Sequence, residues 1–110
     1  STVGNIEGQW SIKKGENLIL SKQQVLDCDI IDSACDGGYP SMAYGEICIM
    51  GGLELQSDYP YIASDQKCHL NKTKIRAYIN DSVTLPACEK KQAQWLTKNG
   101  PISTVLNAYP

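Results

Sequence analysis

Apolar residues recur at helical spacing near the start of the chain. Val3, Ile6 and Trp10 fall on one face of a helix, which predicts a helix over residues 1–12. Residues 21–24, Ser-Lys-Gln-Gln, have the S-x-x-Q form of a capping box and precede an apolar pair, which predicts a second, short helix. The chain is therefore expected to open with two helices.

Proline and glycine set the bounds of later elements. Pro40 suits the first turn of a third helix, and Gly51-Gly52 end that helix. A strand is predicted over residues 75–79 and a fourth helix over residues 87–98. The β-branched, apolar run over residues 102–108 predicts a buried strand.

Composition and charge narrow the class of protein. The chain has 110 residues, of which 42% are hydrophobic and 20% charged, a balance typical of a globular protein. Its formal net charge of −2 offers no basic surface to nucleic acid or to an anionic membrane. No apolar run approaches the ~20 residues that a membrane-spanning helix needs. We therefore expect a globular protein without a nucleic-acid or membrane partner.

Five cysteines are a high density for a chain of this length. They show no C-x-x-C spacing and the only histidine is His69, so no metal centre is expected. A disulfide framework fits better, and it indicates an oxidising, secretory compartment. Sequons beginning at Asn71 and Asn80 predict glycosylation at both residues in such a compartment. The odd number of cysteines predicts a partner outside the chain.

Several blocks of sequence resemble papain-like cysteine proteases, in the order that they have in that family. Residues 20–40 are similar to the family's L-S-E-Q-x-L-x-D-C…C-x-G-G segment. Residues 1–8 resemble the stretch directly after its Cys-Trp-Ala-Phe signature, and residues 58–61, Asp-Tyr-Pro-Tyr, match a third block. Residues 78–83 and 100–103 look most like the cathepsin F branch. The chain is therefore identified by resemblance as an internal fragment of such a protease.

The resemblance implies a papain-like fold of the α+β class, with a helical domain, a β-barrel domain and the active site between them. Residues 1–80 would form a partial helical domain and residues 81–110 would begin the barrel domain, so the fold would be incomplete. Aligned with the family, the nucleophilic Cys and the oxyanion-hole Gln lie upstream of Ser1, and the catalytic His and Asn lie downstream of Pro110. His69 matches no catalytic position, so this chain alone would be inactive.

The same resemblance gives a substrate-binding role to Gly37 and Gly38. Gly38 would offer its N–H and C=O to the second substrate residue before the scissile bond, because a side chain there would obstruct an extended peptide. Tyr39, Pro40 and Val105 would line the pocket for that residue's side chain. The alternative is that the two glycines only turn the chain into the third helix.

The family pattern also implies the cysteine pairing. It pairs Cys28 with Cys68, and it pairs Cys35 with a cysteine just before the nucleophile, outside this chain. Cys48 and Cys88 have no counterpart in the common pattern. A Cys48–Cys88 bridge and a buried free thiol at Cys48 both stay open.

By resemblance, the intact parent would be a lysosomal or secreted, monomeric cysteine endopeptidase. It would attack a peptide carbonyl with a thiolate paired to an imidazolium and would need no cofactor. Its partners would be protein or peptide substrates, its own propeptide and cystatin-like inhibitors.

Two alternatives stay open. In a non-catalytic papain-fold homologue, another residue would replace the nucleophile and the cleft would only bind. A self-contained, disulfide-stapled binding module would fold cooperatively by itself. The fragment hypothesis instead predicts marginal stability and exposed apolar surface around Val3, Ile102 and Val105.

Overall fold

A computed structural model describes residues 1–109. That part of the chain forms four α-helices and one two-stranded sheet: α1 (Thr2–Lys14), α2 (Lys22–Cys28), α3 (Pro40–Met50), β1 (Leu53–Glu54), β2 (Ile75–Ala77) and α4 (Glu89–Asn99). Short 3-10 turns cover Ala34–Asp36 and Lys72–Lys74. The four predicted helices and the strand beginning at residue 75 are confirmed, with small shifts at their ends. None of these four helices has the length and apolar character needed to cross a membrane.

α1 packs one face into the main hydrophobic core. Val3 and Ile6 are buried and Trp10 is half-buried against the same cluster. The expectation that Val3 lies on exposed surface is therefore wrong, because the cluster that includes Ile47 of α3 covers it. The helix ends at Gly15, whose φ of 70° is the left-handed conformation that glycine adopts without strain.

α2 begins at a set of buried hydrogen bonds. Ser21 Oγ accepts from the Gln24 N–H at 3.0 Å, as a helix cap does, and donates to the Tyr59 carbonyl at 2.7 Å. The Gln24 side chain donates to the Gly52 carbonyl at 2.9 Å and accepts from the Glu54 N–H at 2.7 Å. Gln24 therefore joins α2 to the β1 segment and does not complete the reciprocal capping box.

The two strands complete the core. β1 and β2 pair antiparallel, with Leu53 opposite Ala77, and both of these side chains are fully buried. They join Leu20 and Ile47 in the main cluster. Every buried residue of the described chain lies between residues 2 and 77.

Residues 100–109 adopt no regular secondary structure, so the prediction of a buried strand over residues 102–108 is wrong. Val105 is 79% exposed and Leu106 is 75% exposed. A strand is stabilised by hydrogen bonds to a neighbour, and the only sheet within residues 1–109 contains β1 and β2 alone. The exposed apolar surface expected at Val105 is present, whereas Ile102 is half-buried. The domain boundary after residue 80 stays a prediction.

Ser21→Ala should destabilise the fold, because it removes the α2 cap and takes a donor from the buried Tyr59 carbonyl. We expect the free energy of unfolding to fall by about 2 kcal/mol, of which roughly half is the cap. Urea unfolding followed by circular dichroism measures this change. Ser57→Ala, at an exposed turn position, is the control and should change stability by less than about 0.5 kcal/mol. Equal effects of the two substitutions would contradict the role given to Ser21.

Candidate functional site

The loop between α2 and α3, residues 29–39, is organised by two aspartates. Asp29 Oδ1 accepts from the N–H groups of Ile31 and Asp32, at 3.1 and 3.2 Å. Asp32 Oδ1 accepts from the Tyr39 N–H at 2.8 Å. Asp29 thus turns the chain after α2, and Asp32 ties the start of the loop to its end.

The two carboxyl groups interact directly. Burial raises the pKa of Asp29 to about 6, and a hydrogen bond to the Asp32 side chain raises that pKa as well. The cause is that the neutral form of a buried carboxyl is favoured and can donate its proton to a neighbouring carboxylate. Below its raised pKa, Asp29 is therefore neutral.

Positions 37 and 38 favour glycine for different reasons. Gly37 has a φ of 114°, a conformation that residues with a side chain rarely adopt. Gly38 has no such φ, but a Cβ atom there would lie 2.5 Å from both Cγ and Oδ1 of Asp32. Gly37 is therefore a turn residue, which is the role that the alternative hypothesis gave to both glycines. The Gly38 backbone instead packs directly on the Asp32 carboxylate.

The backbone groups of the two glycines also differ in their hydrogen bonds. The N–H of Gly37 donates to the Ala34 carbonyl at 3.2 Å, and its carbonyl accepts from the Ser33 N–H at 2.8 Å. Within residues 1–109, neither the N–H nor the C=O of Gly38 has a hydrogen-bond partner. Gly38 is exposed, so both of its backbone groups can accept or donate to another molecule.

The residues expected to form the side-chain pocket are only partly brought together. Pro40, at the start of α3, and Val105 line the same open groove of about 660 Å³. Residues of α1 and residues 78–85 line other parts of this groove. Tyr39 and the two glycines do not line it, and the Tyr39 side chain is 72% exposed.

Cys28, the last residue of α2, forms a disulfide with Cys68, which is the pairing that the family resemblance implied. Tyr59 is buried beside this bond, with its hydroxyl 3.8 Å from Cys28 Sγ. That hydroxyl donates to Asp27 Oδ2 at 2.7 Å, and burial raises the pKa of Tyr59 to about 12, so the donor is kept at physiological pH. The C-terminal end of α2 is thereby joined to the segment after β1.

The other three cysteines, Cys35, Cys48 and Cys88, are free. A Cys48–Cys88 bridge is therefore absent, and the half-buried Cys48 thiol donates to the Ile79 carbonyl at 3.6 Å. Cys35 is exposed, and a hydrogen bond to the Asp65 carboxylate raises the pKa of its thiol. A raised pKa disfavours the thiolate, which is the opposite of what a nucleophilic cysteine needs.

His69 packs against Tyr59 and the neighbouring backbone. Its ring stacks on Tyr59 with the ring centroids 3.9 Å apart, and its Nδ1 lies 3.1 Å from the Lys67 carbonyl oxygen. No group of His, Cys, Asp and Glu side chains within residues 1–109 is arranged to hold a metal ion.

Both candidate glycosylation residues, Asn71 and Asn80, are exposed. Asn71 Oδ1 accepts from the N–H and the hydroxyl of Thr73, at 3.1 and 2.6 Å, so this sequon forms a closed turn.

Sequence patterns did not single out Asp29 and Asp32. Aspartates three apart in a loop are a recognisable signal for the Asp29 turn, because Asp side chains often accept nearby backbone N–H groups. The bond from Asp32 to the Tyr39 N–H spans seven residues and has no such local signature.

Comparisons with known proteins agree with the fold. Residues 1–110 match the family model described as papain family cysteine protease. Over 109 residues the chain is 49% identical to cathepsin F of Mus musculus, covering 99% of this chain and 24% of that protein. Cathepsin F of Drosophila melanogaster is 45% identical over 109 residues, covering 98% of this chain and 18% of that protein.

Solved structures give the same result. Digestive procathepsin L 3 of Tenebrio molitor larval midgut superimposes with a TM-score of 0.83 at 28% identity, covering 88% of this chain and 33% of that one. The proform of the Amb a 11 cysteine protease, a ragweed pollen allergen, gives 0.69 at 31% identity, covering 73% of this chain and 24% of that one.

These matches define the class as cysteine proteases with a papain-like α+β fold, of which the chain contains a part. The chain belongs to the papain family, with cathepsin F among its relatives. It spans about a quarter of the length of mouse cathepsin F and less than a fifth of the length of the Drosophila protein.

Asp29→Asn should make stability less dependent on pH. The pKa of Asp29 is about 6 in the folded protein, against 3.8 for an unperturbed Asp, so the folded state binds the proton more tightly. The stability linked to this proton is complete below about pH 4 and is lost as the pH rises through about 6. Asn mimics the neutral carboxyl, so we expect the variant to exceed the wild type by up to ~3 kcal/mol near neutral pH and to equal it in acid.

Urea unfolding across this pH range measures the difference. Asp58→Asn, at an exposed turn residue, is the control for replacing an Asp by Asn and should change stability by less than about 0.5 kcal/mol. A gain for Asp29→Asn that is the same at every pH would contradict the assignment.

Alkylation of the unreduced chain should label Cys35 and Cys88 and leave Cys28 and Cys68 unmodified, as mass spectrometry of the peptides would show. Asp65→Asn removes the carboxylate whose hydrogen bond and charge raise the pKa of Cys35, so it should speed labelling of Cys35 by roughly threefold or more. The exposed thiol of Cys88 in the same chain is an internal control whose rate should not change. A Cys35 that resists the reagent would contradict its assignment as unpaired in this chain.

Proposed function

We propose that the full-length protein containing this chain is a cysteine endopeptidase whose Cys–His thiolate–imidazolium pair lies outside these residues. Membership of the papain family and the identity to cathepsin F over the whole chain support this proposal. In such a reaction the thiolate attacks the peptide carbonyl, the imidazolium protonates the leaving amine, and water then hydrolyses the thioester.

The observation that carries the role of this chain is the backbone of Gly38. Gly38 is exposed and its N–H and C=O have no intramolecular partner, in a loop that the hydrogen bonds of Asp29 and Asp32 and the turn at Gly37 hold in one conformation. An extended peptide can pair with these two groups as it would with the edge of a sheet. We propose that the second substrate residue before the scissile bond binds here.

This chain would also contribute residues to the side-chain pocket and part of the helix that carries the nucleophile. Tyr39, Pro40 and Val105 would contact the side chain of the bound residue, and burying a Leu-sized group there would contribute ~1.5–3 kcal/mol. α1 would continue the helix that carries the nucleophile, and the positive end of a helix dipole favours a thiolate.

We also propose that the full-length protein is a monomeric glycoprotein and that it is lysosomal or secreted. The Cys28–Cys68 disulfide and the exposed sequons at Asn71 and Asn80 support an oxidising, secretory route. Both structural relatives are proforms, which supports a propeptide as one partner, and protein substrates and cystatin-like inhibitors are the others. No cofactor is proposed.

The full-length protein should hydrolyse a fluorogenic peptide with an apolar residue at the second position before the scissile bond, and a thiol-directed covalent inhibitor should abolish this activity. Gly38→Ala should lower kcat/KM by roughly tenfold or more, because the methyl group displaces the loop from Asp32 and crowds the substrate backbone.

Gly45→Ala is the matched control. Gly45 is an exposed glycine inside α3, and a methyl group added there would lie within 4 Å of nothing outside the backbone of its own helix and its two chain neighbours. Ala at this position should therefore stabilise the helix by about 1 kcal/mol and leave kcat/KM unchanged. A wild-type protein that neither cleaves peptides nor reacts with the inhibitor would contradict the proposal and favour a non-catalytic homologue.

A further inference from the structure

We propose that Asp32 is a positioning residue for substrate: its carboxylate orients the Gly38–Tyr39 peptide group so that the Gly38 carbonyl points toward the bound peptide. This inference rests on the proposed function, and it concerns a side chain that would not itself touch the substrate.

The first step is the geometry of the peptide bond. The Tyr39 N–H donates to Asp32 Oδ1 at 2.8 Å, and this N–H belongs to the same planar unit as the Gly38 carbonyl. The peptide bonds of the described residues are all trans, and in a trans peptide the N–H and the C=O point in opposite directions. Fixing the N–H on Asp32 therefore directs the Gly38 carbonyl away from the interior of the loop.

The second step is the close packing at Gly38. A Cβ atom at this residue would lie 2.5 Å from Asp32 Cγ and 2.6 Å from Asp32 Cβ. The Gly38 backbone thus lies against the Asp32 side chain, which leaves the peptide group little freedom to rotate. The contact and the hydrogen bond constrain the same unit from the same side.

The third step is that Asp32 is itself fixed. Its N–H donates to Asp29 Oδ1 at 3.2 Å, and its side chain interacts with the buried Asp29 carboxyl. The two ion pairs within residues 1–109 are Lys22–Glu7 and Arg76–Glu16, so no cation in that part of the chain competes for the Asp32 carboxylate. The Asp32 carboxylate is therefore held on one side by Asp29, and its hydrogen bond from the Tyr39 N–H fixes the Gly38–Tyr39 peptide group.

The experiment measures how strongly the enzyme depends on the backbone N–H of the second substrate residue, which would donate to the Gly38 carbonyl. Two fluorogenic peptides are compared, identical except that one carries an N-methyl group in place of that hydrogen. In the wild-type full-length protein, N-methylation should lower kcat/KM by roughly tenfold or more. In Asp32→Ala the same change should cost only about twofold, because the carbonyl is no longer directed at the substrate.

Asp32→Asn keeps an oxygen acceptor for the Tyr39 N–H and should retain the wild-type dependence. Asp36→Ala, at an exposed residue of the same loop, is a second control and should also retain it. Concentrations are set by active-site titration with a small alkylating reagent, so that each kcat/KM refers to folded protein. If Asp32→Ala does not accumulate, Asp32→Ser shortens the acceptor and carries the same expectation.

The outcomes separate the two proposals. An N-methyl effect as large in Asp32→Ala as in the wild type would overturn the positioning role and leave the protease assignment intact. A loss of the effect in Asp36→Ala as well would also overturn it, because the cause would then be general disruption of the loop. A wild-type protein without peptidase activity would overturn both proposals.

Discussion

The position of α2 depends on contacts that hold both of its ends. At its start, the fully buried Ser21 and Gln24 bind the backbone of Tyr59, Gly52 and Glu54. Leaving such buried backbone groups without partners would cost about 1–3 kcal/mol each, so these bonds select one arrangement of the helix against β1. At its end, the Cys28–Cys68 disulfide closes a loop that should stabilise the fold by about 4 kcal/mol in the chain-entropy model.

A helix fixed at both ends determines where the next residues must lie. Asp29 directly follows Cys28 and is buried with it, so its carboxyl must find partners in the adjacent loop. It accepts from two backbone N–H groups and interacts with Asp32, which in turn holds Tyr39. The exposed backbone of Gly38 is thus connected to the core through two carboxyl groups. An acidic compartment would favour this arrangement, because protonation of Asp29 avoids burying a charged carboxylate.

Local sequence signals account for much of this fold. Pro40 and Gly51 bound α3 where the sequence placed its ends, because helix ends are set by neighbouring residues. Ser21 caps α2 as predicted, but Gln24 forms long-range contacts that its position in a capping box does not reveal.

Tertiary contacts decided the features that local patterns missed. Val3 was expected on exposed surface, yet the core cluster covers it. Val105 lies in a run with high strand propensity, but propensity forms no strand without a neighbour. At the candidate site, the glycine pair was evident from sequence and family resemblance. Glycine is favoured at position 37 by its φ angle and at position 38 by the short distance to Asp32, and only three-dimensional structure provides these two quantities.

Residues 99–103 are attached to α1 and α3 by hydrogen bonds. Asn5 and Gln9 of α1 donate to the Pro101 and Asn99 carbonyls, at 2.6 and 2.9 Å, and the Tyr44 hydroxyl lies 2.7 Å from Ser103 Oγ.

None of the residues of α4 is buried, and Val105 and Leu106 remain exposed. A self-contained module would gain by turning such apolar side chains inward, at ~1.5–3 kcal/mol for each one buried. Their exposure agrees with the fragment hypothesis, under which Val105, in the groove that Pro40 also lines, and Leu106 would pack against further protein. In that arrangement the groove would lie at the interface between two domains, and the Gly38 loop would lie beside that interface, next to Pro40.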